Sequence, residues 1–280
     1  MRKLKAYSKE SFAFFQEVVS NKREKKDDPD YKRRLKSIEN NIKKAYREYD
    51  EHFSLDNLTA LGKTQYNPPH SHDLLSLYKY SSKKLQELEL ILTTDEFQRR
   101  NKTCQNCTIG EVGTFDHLVP KEEFTEFAVH PKNLFPCCSK CNSYKNEVWR
   151  DGDKRLFLNL YIDELPKVQY LFVRLEITPQ SIATEFYLQN TNRVNSDTFQ
   201  LIESHYSRLH LCKRFSENAD DVIIRLSTAI SETVPRLPIE EVKDVCINAA
   251  KRHMVLFGSN YWKSVLEIAL LNNNDFMSRF

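Results

Sequence analysis

Four short stretches decide how this chain reads: Cys104-Gln105-Asn106-Cys107, Phe115-Asp116-His117-Leu118-Val119-Pro120, Pro131-Lys132-Asn133-Leu134 and Cys138-Ser139-Lys140-Cys141-Asn142-Ser143-Tyr144-Lys145. The first and last each hold a C-x-x-C knuckle, and thirty residues separate the two. Paired knuckles at such spacing let two tight turns present four thiolates, from Cys104, Cys107, Cys138 and Cys141, to one tetrahedral zinc ion. A tetrathiolate site is closed to substrate, so this zinc is expected to be structural, fastening a small motif that has little apolar core of its own. Cys137 offers a competing C-x3-C pairing; Cys138 is preferred because both knuckles then share one geometry.

Between the knuckles stand an acid and a base, and an amide follows the second. A neutral imidazole is the side chain best able to take a proton from water near neutral pH, which makes His117 the candidate general base. Asp116 and Asn142 offer oxygen ligands suited to a hard cation such as Mg²⁺ or Mn²⁺, whereas the sulfur set suits zinc. The bland alternative is an Asp116 that merely accepts a hydrogen bond beside a half-buried His117. His130, which precedes Pro131, is a competing candidate for the site, and His70 and His72 form an H-x-H pair that could hold a metal or lie free in a turn.

The order C-x-x-C, D-H-x-x-P, N-L, C-x-x-C-N-x-x-K resembles the HNH nuclease family over about fifty residues. That resemblance implies a ββα-metal fold holding one divalent cation between a hairpin and a helix, with phosphodiester hydrolysis as the activity. It also implies that Asn133 orients the loop carrying the general base, so that the catalytic set is Asp116, His117, Asn133 and Asn142. Where family members often carry histidine after the last knuckle, this chain has Asn142, a harder ligand that weakens any preference for a transition metal. More loosely, Phe157-Leu158-Asn159, a hairpin, a helix with Arg208-Leu209, and Trp262 resemble C-terminal extensions of bacterial HNH proteins. That resemblance implies an effector of an anti-phage defence system working beside an ATPase or other regulatory subunit. DNA is the expected substrate, with RNA less favoured; the opposing reading is a non-catalytic zinc-binding nucleic-acid or scaffold subunit.

The surrounding composition is compatible with this. Across 280 residues, 40% are apolar and 29% charged, as in a folded globular protein. Five glycines are few, and no Walker-type phosphate loop is present, so any ATP dependence would be supplied by a partner. No run approaches 18 consecutive apolar residues, and Gln16 and Glu17 interrupt the first apolar stretch, which predicts a cytoplasmic protein without a membrane span. Seven cysteines, five of them within residues 104–141, fit a metal site better than a disulfide framework. The net charge of +3 is concentrated in the first fifty residues, which hold 15 Lys or Arg against 9 Asp or Glu. The clusters Arg2–Lys5, Lys22–Lys26 and Lys32–Lys36, together with His205, Arg208, His210, Lys213 and Arg214, are candidate phosphate contacts or simply solvated faces.

The expected fold is α+β and mostly helical, with an N-terminal helical region (1–100), the zinc-pinned core (101–150) and a C-terminal strand-plus-helix region (151–280). Helical periodicity predicts helices over 7–20, 31–49 and, as one long element, 73–99. Strands are expected over 156–162, 170–177 and 183–188, the last two as a hairpin. Further helices are expected over 199–215, 220–232, 239–257 and 261–271.

Overall fold

The computed structural model describes residues 1–23 and 28–280. Lys25 and Lys26, part of one basic cluster noted above, lie outside the described residues. The chain is α+β, about half helical, with small two-stranded sheets. It separates into two compact units, one built from residues 3–106 and 110–163 and the other from residues 164–280 with short segments 1–2 and 107–109. No helix among the described residues is long and apolar enough to cross a membrane.

The first unit begins with α1 (Ser11–Asn21), α2 (Tyr31–Ser37) and α3 (Glu39–Ser54). Glu10 caps α1 by accepting from the Ala13 N–H at 2.5 Å. The stripe Ile42, Tyr46, Tyr49 and Phe53 on α3 is buried, as residues spaced by three, four and seven on one helix face should be. The single helix expected over 31–49 is two, because Ile38 leaves helical geometry at φ −103°, ψ 2°. Helices α4 (His70–Leu77) and α5 (Lys83–Thr93) replace the one long helix expected over 73–99. Leu74, Leu77, Leu85, Leu88 and Leu92 are all buried, so the apolar period persists while the backbone does not. Tyr78 turns extended at φ −76°, ψ 114°, and Ser82, at φ −72°, ψ 147°, takes the N-cap position of α5. Serine directly before a new run of helix formers is the local signal that periodicity overrides.

Strands β1 (Thr114–His117) and β2 (Leu134–Cys137) pair antiparallel with Asp116 opposite Phe135 and His117 opposite Leu134. Helix α6 (Ser139–Lys145) follows at once, N-capped by Cys138, whose Sγ accepts from the Cys141 N–H at 3.4 Å. The short pair β3 (Arg150–Asp151) and β4 (Lys154–Arg155) then closes the run. The strand expected over 156–162 is not formed. These residues follow an irregular path in which the Asn159 side chain accepts from the Tyr161 N–H and Asp163 accepts from the Asn159 N–H, so local side-chain bonds satisfy the backbone in place of a ladder.

In the second unit β5 (Leu171–Ile177) and β6 (Ile182–Leu188) form the expected hairpin, closed where the Thr178 N–H donates to the Ser181 carbonyl at 2.9 Å. The helix expected over 199–215 is divided into α7 (Ser196–Arg208) and α8 (Leu211–Glu217) by His210 in the left-handed region at φ 51°. Helices α9 (Ala219–Thr233), α10 (Ile239–Phe257), α11 (Trp262–Leu271) and α12 (Asn274–Met277) complete it. Trp262 anchors this core, stacked on Phe215 at 5.3 Å and edge-on to Phe186 at 6.0 Å. Asn260 pins β5 by accepting from the Tyr170 and Leu171 N–H groups and donating to the Val168 carbonyl.

Candidate functional site

All four expected zinc ligands converge. The Sγ atoms of Cys104, Cys107, Cys138 and Cys141 lie within 4.8 Å of one another and all four residues are buried. In a tetrahedral site with Zn–S near 2.3 Å the sulfurs stand about 3.8 Å apart, so a cluster this close could hold a structural metal such as zinc. Gly110 is required here by space: a Cβ on it would come 2.9 Å from Cys138 Cβ and 3.1 Å from its Sγ. Its carbonyl accepts from the Cys104 N–H at 2.8 Å, closing the first knuckle. Cys137 lies outside the cluster, on β2 opposite Thr114, where burial holds its thiol well above the ordinary range. Strand alternation explains the choice between the neighbours: adjacent residues point to opposite faces, so only one of Cys137 and Cys138 can face the knuckle. His70 and His72 occupy the first turn of α4 and join no such cluster among the described residues.

Asp116, His117 and Asn142 line one cleft of about 310 Å³, together with Tyr78, Lys121 and Glu147. Register places the first two: β1 carries them at the end of the hairpin, and α6, starting directly after β2, brings Asn142 across from them. The ring of His117 lies edge-on to Tyr78 at 4.7 Å, and its Nε2 is 2.9 Å from the Ala128 carbonyl oxygen. A carbonyl only accepts, so Nε2 carries the proton and Nδ1 keeps its lone pair. Burial pushes the His117 pKa down to about 3, with Lys121 and Lys145 adding to the effect and the Ala128 hydrogen bond opposing it. The imidazole is therefore neutral at physiological pH.

Asp116 is 4% exposed and burial raises its pKa, an effect that Lys145 counters. The ammonium of Lys145 lies 3.0 Å from Asp116 Oδ1 and donates to the His117 carbonyl at 2.7 Å. Neither Lys145 nor Tyr78 stands out in sequence as a site residue. Lys145 is the last residue of the C-N-x-x-K run, three positions after Asn142, and that spacing on a helix was the available signal.

Asn133 is fully buried and lines no part of the cleft. Its Oδ1 accepts from the Val119 N–H at 2.8 Å and the Tyr49 hydroxyl at 3.1 Å, while Nδ2 donates to the Val119 and Phe127 carbonyls, each at 3.1 Å. Every donor hydrogen of this amide is used, and both ends of the segment between Leu118 and Ala128 are tied to it. Because Ala128 in turn accepts from His117, the Asn133 amide and the His117 ring are tied to the same loop. His130, the competing candidate, is a core residue: it is 0% exposed, with its ring 4.3 Å from Tyr46 and 4.1 Å from Tyr49.

The cationic face expected from His205 to Arg214 is not formed. His205 and Arg214 are buried, Arg214 donates to the Leu209 carbonyl at 3.2 Å, and the left-handed residue His210 breaks the helical spacing on which the alignment depended.

Among known proteins, this chain is similar to Protein ea31 of Escherichia phage lambda, with 24% identity over 187 residues. The match covers 62% of each protein, so the chain spans less than two thirds of that relative's length. No known protein family and no solved structure matches the chain.

Proposed function

We propose that this chain is a metal-dependent endonuclease of the HNH type that hydrolyses phosphodiester bonds in DNA. The observation that carries this reading is the neutral His117, its Nε2 proton committed to Ala128 and its Nδ1 lone pair free, in one cleft with Asp116 and Asn142. In the proposed reaction a water oxygen attacks phosphorus, its proton passes to His117 Nδ1, and the bond from phosphorus to the leaving 3′ oxygen breaks. A divalent ion held by Asp116 and Asn142 would supply Lewis-acid stabilisation of the phosphoryl and leaving oxygens and would acidify its bound water. That matters for a base as weak as His117, which takes a proton readily only from a water already polarised. The Ala128 carbonyl supports the imidazolium that forms, and Asn133 holds the loop that fixes that carbonyl.

One observation favours a second reading, a non-catalytic zinc-binding scaffold or nucleic-acid-binding subunit: Asp116 already has a cationic partner in Lys145 at 3.0 Å. Cleavage of supercoiled plasmid in Mg²⁺ or Mn²⁺ separates the two, with wild type compared to His117→Ala at equal zinc content. The nuclease reading expects metal-dependent nicking or linearisation that the variant loses. Cutting that survives in the variant removes His117 as the base, and an absence of cutting by wild type supports the scaffold.

A further inference from the structure

A second cavity, of about 540 Å³, opens in the same compact unit and is lined by Lys22, Arg23, Lys79, Lys83 and Lys84. Among the described residues, no carboxylate is part of its lining. Two of these cations are engaged: Lys84 pairs with Glu17 and Glu87, each at 2.9 Å, and Lys22 donates to the Ser76 carbonyl. Arg23, Lys79 and Lys83 are exposed and form no ion pair among the described residues. Serine 82 also lines the cavity at the N-cap of α5, and its side chain makes no cap hydrogen bond. The first turn of that helix contains no acidic residue, so its amides and the positive end of its dipole add to the cationic character of this concave surface.

We infer that this cavity is a phosphate-binding clamp for the backbone of duplex DNA, feeding the neighbouring His117 cleft. Three exposed cations with no ion pair among the described residues favour a polyanion, and a nucleic-acid backbone supplies regularly spaced phosphates that release counter-ions as they bind. The link to the cleft is covalent and short. Lys79 directly follows Tyr78, whose ring packs on His117, and the segment 78–82 that interrupts the two helices therefore lines the cleft at one end and the basic cavity at the other. This also accounts for the break in the apolar period: a continuous helix through 73–99 would not present Tyr78 and Lys79 to the two cavities in this way. The role of the clamp in cleavage rests on the proposed nuclease activity, whereas DNA binding by it does not.

The test is binding of the full chain to a fluorescently labelled DNA duplex in EDTA across a salt series, read by anisotropy, so that no cleavage is required. The double variant Lys79→Glu/Lys83→Glu alters only exposed side chains outside the catalytic set. It is expected to weaken binding at least tenfold, with the slope of log K against log salt shallower by about 2, one unit for each lost phosphate contact. The charge-matched control Lys251→Glu/Arg252→Glu on α10 is expected to bind within twofold of wild type. Unchanged affinity and slope in the double variant overturn the clamp. So do an equal loss in the α10 control, which would indicate net charge alone, and tighter binding of single-stranded RNA of equal length. Loss of binding in the double variant beside plasmid that neither wild type nor His117→Ala can cut would overturn the nuclease reading while leaving the clamp intact.

Discussion

Lys145 Nζ sits 3.0 Å from Asp116 Oδ1, and both side chains are only 6% exposed. A carboxylate this deep is tolerated because an ammonium faces it, and removing one member of a buried pair leaves the other uncompensated. Lys145→Met is therefore expected to lower folding stability by about 3 kcal/mol in urea titrations at pH 7.5. Under the proposed function, millimolar Mn²⁺ should recover part of that loss by supplying a cation at Asp116. A variant as stable as wild type would mean that Asp116 is neutral at that pH and needs no partner.

Asn133 gives the most specific mechanical prediction. Asn133→Ala leaves the Val119 N–H and carbonyl and the Tyr49 hydroxyl without their partner, while the Phe127 carbonyl keeps the His130 N–H. At about 1 kcal/mol or more for each buried group left unsatisfied, a cost of roughly 3–5 kcal/mol is expected. Hydrogen exchange at Val119 should accelerate before the α3 amides do, since the loop loses its anchor while the helix keeps its ladder. Uniform acceleration across the unit would argue against a local anchoring role.

The cysteine cluster predicts a metal stoichiometry. Wild type and Cys137→Ser should both carry one zinc per chain by elemental analysis, while serine at Cys104, Cys107, Cys138 or Cys141 should lose it. Gly110→Ala should behave like a knuckle mutant, with weakened zinc retention and a lowered Tm, because its Cβ would meet Cys138 at 2.9 Å. Full zinc in the alanine variant would show that the knuckle can yield at that point.

Burial pushes the Glu126 carboxyl up to about 6 from an ordinary 4.5. A carboxyl whose folded pKa is raised binds protons more tightly in the native state, so its favourable contribution is complete below pH 4.5 and is lost as pH rises through 6. The shift corresponds to about 2 kcal/mol. Glu126→Gln should accordingly match wild type near pH 4 and exceed it by about 2 kcal/mol at pH 7.5. Equal stability at both pH values would show that the side chain reaches water.

Local spacing alone fixed several features of this protein. A C-x-x-C turn can point both thiols at one ion whatever surrounds it, and Asp116, His117 and the C-N-x-x-K run lie on short elements whose internal geometry is set by strand and helix periods. The hairpin 171–188 and helix 239–257 were legible for the same reason. Features that depend on long-range packing were not. Periodicity joined α4 to α5 because both bury leucines at helical spacing, yet the chain turns at Tyr78 to pack on a histidine 39 positions further on. Segments far apart in sequence, around Lys22 and Lys79, share one cavity, and the cationic face read from 205 to 214 dissolves because His205 and Arg214 turn inward. Ligand spacing is a property of a few consecutive backbone dihedrals, whereas desolvation, counter-ion choice and the neutral state of His117 arise only when distant segments exclude water together.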